Sequence, residues 1–216
     1  MFIGHFAVGF ALKRWTPLVS LGTLFLAAQF LDLLWPMLLL VGAETVAIAP
    51  GITRVTPLDF VSYPWSHSLA MALVWGLVVG LLVGWARRDT KTGVLLGLAV
   101  VSHWVLDFVT HRPDLPLTPQ GDTRLGLELW RSLPATLLVE GLLFALALIV
   151  YQRATRARDR AGVWGHWSLV ALLVAIYLVN LFGPPPPDVK AIGWMGQAQW
   201  LFVAWGYWLD RHRTAA

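Results

Sequence analysis

Six long apolar runs constrain this chain more than any other feature of its sequence. They lie at about 18–41, 66–86, 93–110, 133–151, 164–182 and 194–209. A helix crosses the hydrocarbon core of a bilayer in about 20 residues, and each run reaches or nearly reaches that length. In lipid the backbone must pair within its own segment, so such runs fold as helices. A shorter run at 1–12 is expected to form a membrane-embedded helix, either a tilted span or a re-entrant one. The expected fold is all-α: a polytopic membrane helix bundle of six spanning helices plus the short N-terminal helix. No internal repeat or long polar domain interrupts it. Residues 1–216 read as a single membrane domain, with 1–151 as the core that holds the candidate metal ligands and 152–216 as an added two-helix segment.

Composition agrees. The chain is 57% hydrophobic and 13% charged, against about half and about a quarter in soluble domains. It contains no cysteine, which excludes disulfides, thiolate zinc sites and a cysteine nucleophile. The N-terminal "MFIGHFAVGFALKR" lacks the basic leader and small-residue cleavage site of a secretory signal. The linker "FGPPPPDVK" reads as a stiff loop between two helices.

The net charge is only +4, and the basic residues sit in short clusters between runs, a pattern that fits topology better than nucleic-acid binding. One set of loops carries Lys13 and Arg14, then Arg87, Arg88 and Lys91, then Arg153, Arg156, Arg158 and Arg160, then Arg211 and Arg213. The alternate loops carry only Arg54, Arg112, Arg124, Arg131 and Lys190. The richer set is expected on the cytoplasmic side, leaving 42–65, 111–132 and 183–193 facing outward. Trp15, Trp65, Trp85, Trp130, Trp164, Trp194 and Trp208 lie near run ends and read as an interfacial belt.

Within this apolar frame, "VVSHWVLDFVTHRPDLP" places His103, Asp107 and His111 four residues apart. Positions four apart on a helix lie on nearly one stripe, about 6 Å from each other. An ionisable group at membrane depth costs several kcal/mol unless paired or hydrated, so this stripe needs partners. Other runs supply them: His5 in "FIGHFAVGF", Asp32 and Gln29 in "AAQFLDLLWP", His67 in "YPWSHSLAM", and Glu140 in "LPATLLVEGLLF". Under the topology above, Asp32, His67, His103, Asp107, His111 and Glu140 lie toward the outer side, and His5 joins them if the N-terminal segment enters from outside.

Asp32, Asp107 and Glu140 have no Lys or Arg within any span to neutralise them. Carboxylates gathered in low dielectric take up protons or bind cations. With imidazoles they make ligands for zinc, and also for manganese or iron. One divalent ion would leave three carboxylates net negative, and two would leave them slightly positive. Purely structural readings stand beside these. His5 fits an interhelical hydrogen bond, Asp32 a packing carboxylate, His67 a polar helix start between Ser66 and Ser68, and Asp59 a loop turn.

At these same motifs, with "GTLFLAAQFLDLLWP", "SHWVLDFVTHRPDLPL" and "LWRSLPATLLVE", the chain resembles a bacterial family of YdjM-like inner-membrane, metal-dependent hydrolases over residues 1–151. That family is in turn remotely similar to zinc-dependent phospholipase C. The resemblance implies metal ligands at His5, Asp32, His67, His103 and Asp107, and a multi-pass place in the bacterial inner membrane.

The expected function is that of a membrane-embedded hydrolase acting on a lipid or lipid-linked ester or phosphodiester through a metal-activated water, with one or two ions, Zn²⁺ or else Mn²⁺. His111 and Glu140 are the expected proton carriers and Arg112 the expected phosphate-binding group, while Asp59, Ser66 and Gln29 support the ligands from behind. Membrane lipids are the expected partners, and the site is expected near the periplasmic face. The rival from another class is a transporter of divalent cations or protons, which also carries intramembrane His and Asp. No inverted repeat favours it.

Overall fold

A computed structural model describes residues 1–216. The chain is a helix bundle with three small two-stranded hairpins. Its helices are α1 (Ile3–Leu12), α2 (Leu21–Ala28), α3 (Phe30–Leu40), α4 (Pro64–His67), α5 (Leu69–Arg87), α6 (Thr90–Thr110), α7 (Leu133–Ala154), α8 (Arg160–Phe182), α9 (Val189–Gln197) and α10 (Gln199–His212). The strands are β1 (Thr45–Ile48) with β2 (Leu58–Ser62), β3 (Leu115–Pro116) with β4 (Arg124–Leu125), and β5 (Thr155–Ala157) with β6 (Arg213–Ala215), all antiparallel.

Short polar residues start the helices. The side chains of Ser20, Ser68, Asp89, Ser132, Asp159 and Asp188 each accept a backbone N–H from the first turn of α2, α5, α6, α7, α8 and α9. These caps satisfy donors that a helix cannot pair internally. Helices α5 and α6 then form a hairpin through Arg88, which adopts a left-handed conformation. They approach closely because glycines face each other: a Cβ on Gly97 would stand 2.7 Å from the Gly76 carbonyl oxygen. Small residues give close van der Waals contact where lipid supplies no hydrophobic drive.

The count of long helices differs from the sequence expectation. Four helices, α5 to α8, are long and apolar enough to cross a membrane. The run at 18–41 is instead two helices, α2 and α3, bent by 60° at Gln29. The run at 194–209 is likewise divided between α9 and α10 at Ala198. The two pairs pack antiparallel: Gly206 lies against Gly22, Gly196 against Pro36 and Gly193 against Leu40. Pro36 lacks the N–H that would bond the Asp32 carbonyl, and Gln199 Nε2 donates to that carbonyl across the interface at 3.2 Å. The three hairpins also depart from the all-α expectation, since they lie in loops without apolar periodicity.

Two apolar clusters flank α2. One joins Phe6, Phe10, Phe25, Phe144, Tyr151 and Phe202. The other joins Leu24, Leu31, Trp35, Leu96, Val100 and Trp104. They fix α1, α3 and α6 around a shared polar centre.

Candidate metal centre

The stripe on α6 meets α1, α3 and α4 at one point. His5, His67, His103, Asp107 and His111 are all buried. Asp107 stands at the middle. Its Oδ1 lies 3.0 Å from His5 Nε2 and 3.9 Å from His111 Nε2, and its Oδ2 lies 3.3 Å from His103 Nε2 and 3.7 Å from His67 Nε2. Asp32 Oδ1 approaches His67 Nε2 at 3.5 Å and His103 Nε2 at 3.6 Å. The rings of His5 and His103 stack, and His67 meets His103 edge to face. The Met1 amino group donates to Asp107 Oδ1, which places a positive charge against this carboxylate.

The tautomers of three imidazoles follow from their outer partners. The break between α2 and α3 leaves the Ala28 carbonyl to accept from His103 Nδ1 at 2.9 Å. His103 Nε2 is then a buried lone pair with no hydrogen-bond partner. For His67 the chain of contacts begins at Glu44. Its Oε1 accepts the backbone N–H groups of Trp65 and Ser66, and its Oε2 accepts the Ser66 hydroxyl. Ser66 Oγ has spent its proton, so it accepts from His67 Nδ1 at 2.7 Å, and Nε2 faces the centre. His111 Nδ1 donates to Asp114 Oδ1 at 2.9 Å, again leaving Nε2 toward the centre. Asp114 also accepts from the Tyr63 hydroxyl and from Arg112 Nε. Outer carboxylates and carbonyls that fix imidazole orientation are what metal-binding histidines need.

The donor set suits a divalent ion. Asp32, His67 and His103 form one group whose ligand atoms lie within 4.8 Å of each other, and His5, His103 and Asp107 form another. Bonds of about 2.0–2.1 Å put tetrahedral zinc ligands about 3.3–3.4 Å apart. The four separations of His67 and His103 from Asp32 and Asp107 run from 3.3 to 3.7 Å, near that edge.

The cluster opens into a cavity of about 460 Å³. Asp32, His67, Asp107, His111 and Glu140 line its polar end. Its walls include Trp35, Phe60, Trp130 and Tyr177, and the prolines at 184–187 with the 55–58 loop form its rim.

The other expected site residues have these places. Glu140 lines the cavity, and its Oε2 accepts from the backbone N–H groups of Phe2 and Gly4, so it anchors the start of α1. Ser66 Oγ lies 2.7 Å from His67 Nδ1. Asp59 and Asp114 together bind Arg112, which commits that guanidinium to two carboxylates. Gln29 is buried at the break between α2 and α3, and its side-chain amide has no hydrogen-bond partner. Trp130 departs from the belt reading: it is buried, with its ring centroid 4.3 Å from that of His111. The 3-10 turn at Leu129–Arg131 folds it inward, whereas Trp85 and Trp164 are exposed.

Glu44, Tyr63, Asp114, Trp35 and Tyr177 went unnoticed in the sequence. Glu44 and Asp114 sit in irregular segments, where no helical spacing marks them. A signal did exist for Asp114, which follows His111 by three residues.

A bundle of long apolar helices around a buried His/Asp cluster defines an integral membrane protein with a candidate metal centre. Residues 1–183 match the profile of the YdjM inner membrane protein family, and the chain belongs to that family. It is thus a multi-pass protein of the inner membrane, and the match runs beyond residue 151 through α8. No curated protein matches the chain, and no solved structure does.

Proposed function

We propose that this protein is a metal-dependent hydrolase that acts within the membrane on a lipid or lipid-linked ester or phosphodiester. The observation that carries the reading is the convergence of three imidazoles, each fixed through Nδ1, on two carboxylates at the end of one cavity. His67, His103 and Asp32 would hold one ion. Asp107 offers one oxygen toward that group and the other toward His5 and His111, and with His5 it would hold a second ion. When bound, zinc or manganese supplies Lewis acidity and lowers the pKa of water.

The chain's own groups do the rest. His111, backed by Asp114, accepts a proton from the attacking water and returns it to the leaving oxygen. Glu140 keeps α1, and with it His5, in register. The apolar walls hold the substrate's tail.

We read α2 with α3, and α9 with α10, as two broken crossings, which gives six crossings with α1 as the short embedded helix. Their antiparallel packing from Gly22–Gly206 to Leu40–Gly193 supports this. The distribution of Lys and Arg supports a cavity that faces the periplasm.

The test is turnover of phosphodiester and carboxylic ester lipids in mixed micelles by protein stripped with chelator and reloaded with zinc or manganese. Metal-dependent hydrolysis is expected, and His111→Ala should lower kcat by about 10²–10⁴-fold with metal still bound. Metal-loaded protein that hydrolyses neither class, or hydrolysis indifferent to chelator, contradicts the reading.

A further inference from the structure

The cavity beside the histidine cluster is polar at one end only. Asp32, His67, Asp107, His111 and Glu140 gather at that end. Farther out the lining turns apolar, with Val179, Leu181, Met195 and the prolines at 184–187, and with Asn180 as a polar neighbour. Val179 belongs to the outer surface as well. With Ala175, Leu178 and Phe182 it forms the exposed stripe of α8, on the spacing of one helix face, and it is 63% exposed. Met195 on α9 is 64% exposed, next to the exposed Trp194. The cavity therefore reaches the outer surface between the last turn of α8 and α9. Helix α8 is long and apolar enough to cross a membrane, so the surface around this mouth meets lipid and not bulk water.

The frame of the mouth is fixed on both sides. Leu173 and Tyr177 root α8 in the apolar cluster of Phe6 and Phe10. Helix α9 packs on α3 instead, where Gly193 meets Leu40 and Gly196 meets Pro36. The 183–188 linker joins these separately anchored helices. At its start the Gly183 N–H donates to the Val179 carbonyl, and at its end the Asp188 carboxylate accepts the Ala191 N–H. Its four prolines have a fixed φ and no N–H. An irregular segment beside lipid must leave no backbone donor unpaired, and a proline run meets that demand whether the mouth is open or filled.

An occupant has to match both ends: a polar head that reaches the His/Asp cluster, and an apolar chain that asks no hydrogen bond of the wall. We propose that the gap between α8 and α9 is a lateral portal, in which the alkyl chain of a membrane lipid lies on Val179, Leu181 and Met195 while the lipid's polar head occupies the histidine end. This rests on the hydrolase reading above and names the route by which that site's substrate enters and the side chains that hold its chain.

The chain has no cysteine, so single cysteines report access without background. The experiment places zinc-loaded full-length protein in phosphatidylcholine vesicles. It follows alkylation of Leu181→Cys by N-decylmaleimide, which is carried in the lipid, and by a sulfonated maleimide confined to water. Leu146→Cys, on the exposed face of α7, is the reference. The decyl reagent should reach Leu181→Cys and the sulfonated one should not. Val179→Trp with Met195→Trp fills the mouth from its outer side and should slow the decyl reaction at Leu181→Cys by at least about tenfold, since space closed to interior packing density passes no chain. Leu146→Cys should react as before. Zinc content and melting temperature should stay at the values of the single-cysteine protein. If Leu181→Cys does not fold, Leu58→Cys on β2, which lines the same cavity, decides. Alkylation untouched by the two tryptophans, a cavity cysteine that the decyl reagent does not reach, or equal attack by the sulfonated reagent overturns the proposal. Access is read without turnover, so a portal that admits the reagent in a protein that hydrolyses no lipid sinks the hydrolase reading alone.

Discussion

The imidazoles of His5 and His103 lie face to face, with ring centroids 3.5 Å apart and planes 5° from parallel. One belongs to a ten-residue helix and the other to the middle of α6, and both bring Nε2 to Asp107. Side chains from distant parts of the chain thus meet at a common carboxylate, with His5 Nε2 in hydrogen-bond contact with Asp107 Oδ1 at 3.0 Å.

The support behind His67 is the first place to test this arrangement. Ser66→Ala removes the acceptor of His67 Nδ1, and Glu44→Gln weakens the group that orients Ser66. Each should lower zinc affinity by about 10–100-fold, as losses of outer partners do. Competition against a chromogenic chelator measures this. Both residues act in one chain of contacts, so the double variant should fall short of the product of the two effects.

Arg112 separates a structural from a substrate-binding part. It holds Asp114 and Asp59, so Arg112→Gln should lower thermal stability and kcat while leaving KM for a phosphate ester within about twofold, the pattern of a group that does not bind substrate. A large rise in KM with kcat unchanged would place the guanidinium on the substrate instead.

The glycine contact between α5 and α6 gives a prediction about stability alone. A side chain at Gly97 would press on the Gly76 carbonyl, so Gly97→Val should destabilise by about 1–3 kcal/mol, the cost of overpacking a tight contact. Thermal unfolding in detergent checks this. Metal content per folded molecule should be unchanged.

Asp159 supplies a pH dependence outside the membrane-spanning segments. A hydrogen bond from His212, then one from the Gly162 backbone N–H, holds its carboxyl below the usual carboxylate range. A carboxyl lowered by folding stabilises the fold above its unfolded pKa, and that contribution is lost as pH falls through the lowered, folded value. Melting temperature should therefore drop in acid, and Asp159→Asn should flatten that part of the curve. An unchanged acid profile would contradict the assignment.

Much of the centre could be read from the sequence because lipid makes polar groups conspicuous. His5, Asp32, His67, His103 and Asp107 stand out in apolar runs, and a common depth was enough to group them. Their supports escaped notice because Glu44, Tyr63 and Asp114 sit in loops, where acids and hydroxyls are ordinary. The run at 18–41 has enough apolar residues for one helix, and nothing in its hydropathy marks the bend at Gln29 that frees the Ala28 carbonyl for His103. Trp130 read as an interfacial anchor by its place near a run end. Only the fold of the 111–132 segment turns it onto His111. Tyr177 is one more aromatic residue in an apolar helix until the fold sets it against the cavity.

The most direct test of the central claim is the metal content of the purified protein, measured by elemental mass spectrometry after growth with zinc and manganese. The account predicts one or two divalent ions per wild-type chain. It predicts their loss in a His103→Ala, Asp107→Ala variant that remains folded by circular dichroism. A metal-free wild type that also takes up no ion on reconstitution, or full occupancy in that double variant, would contradict it.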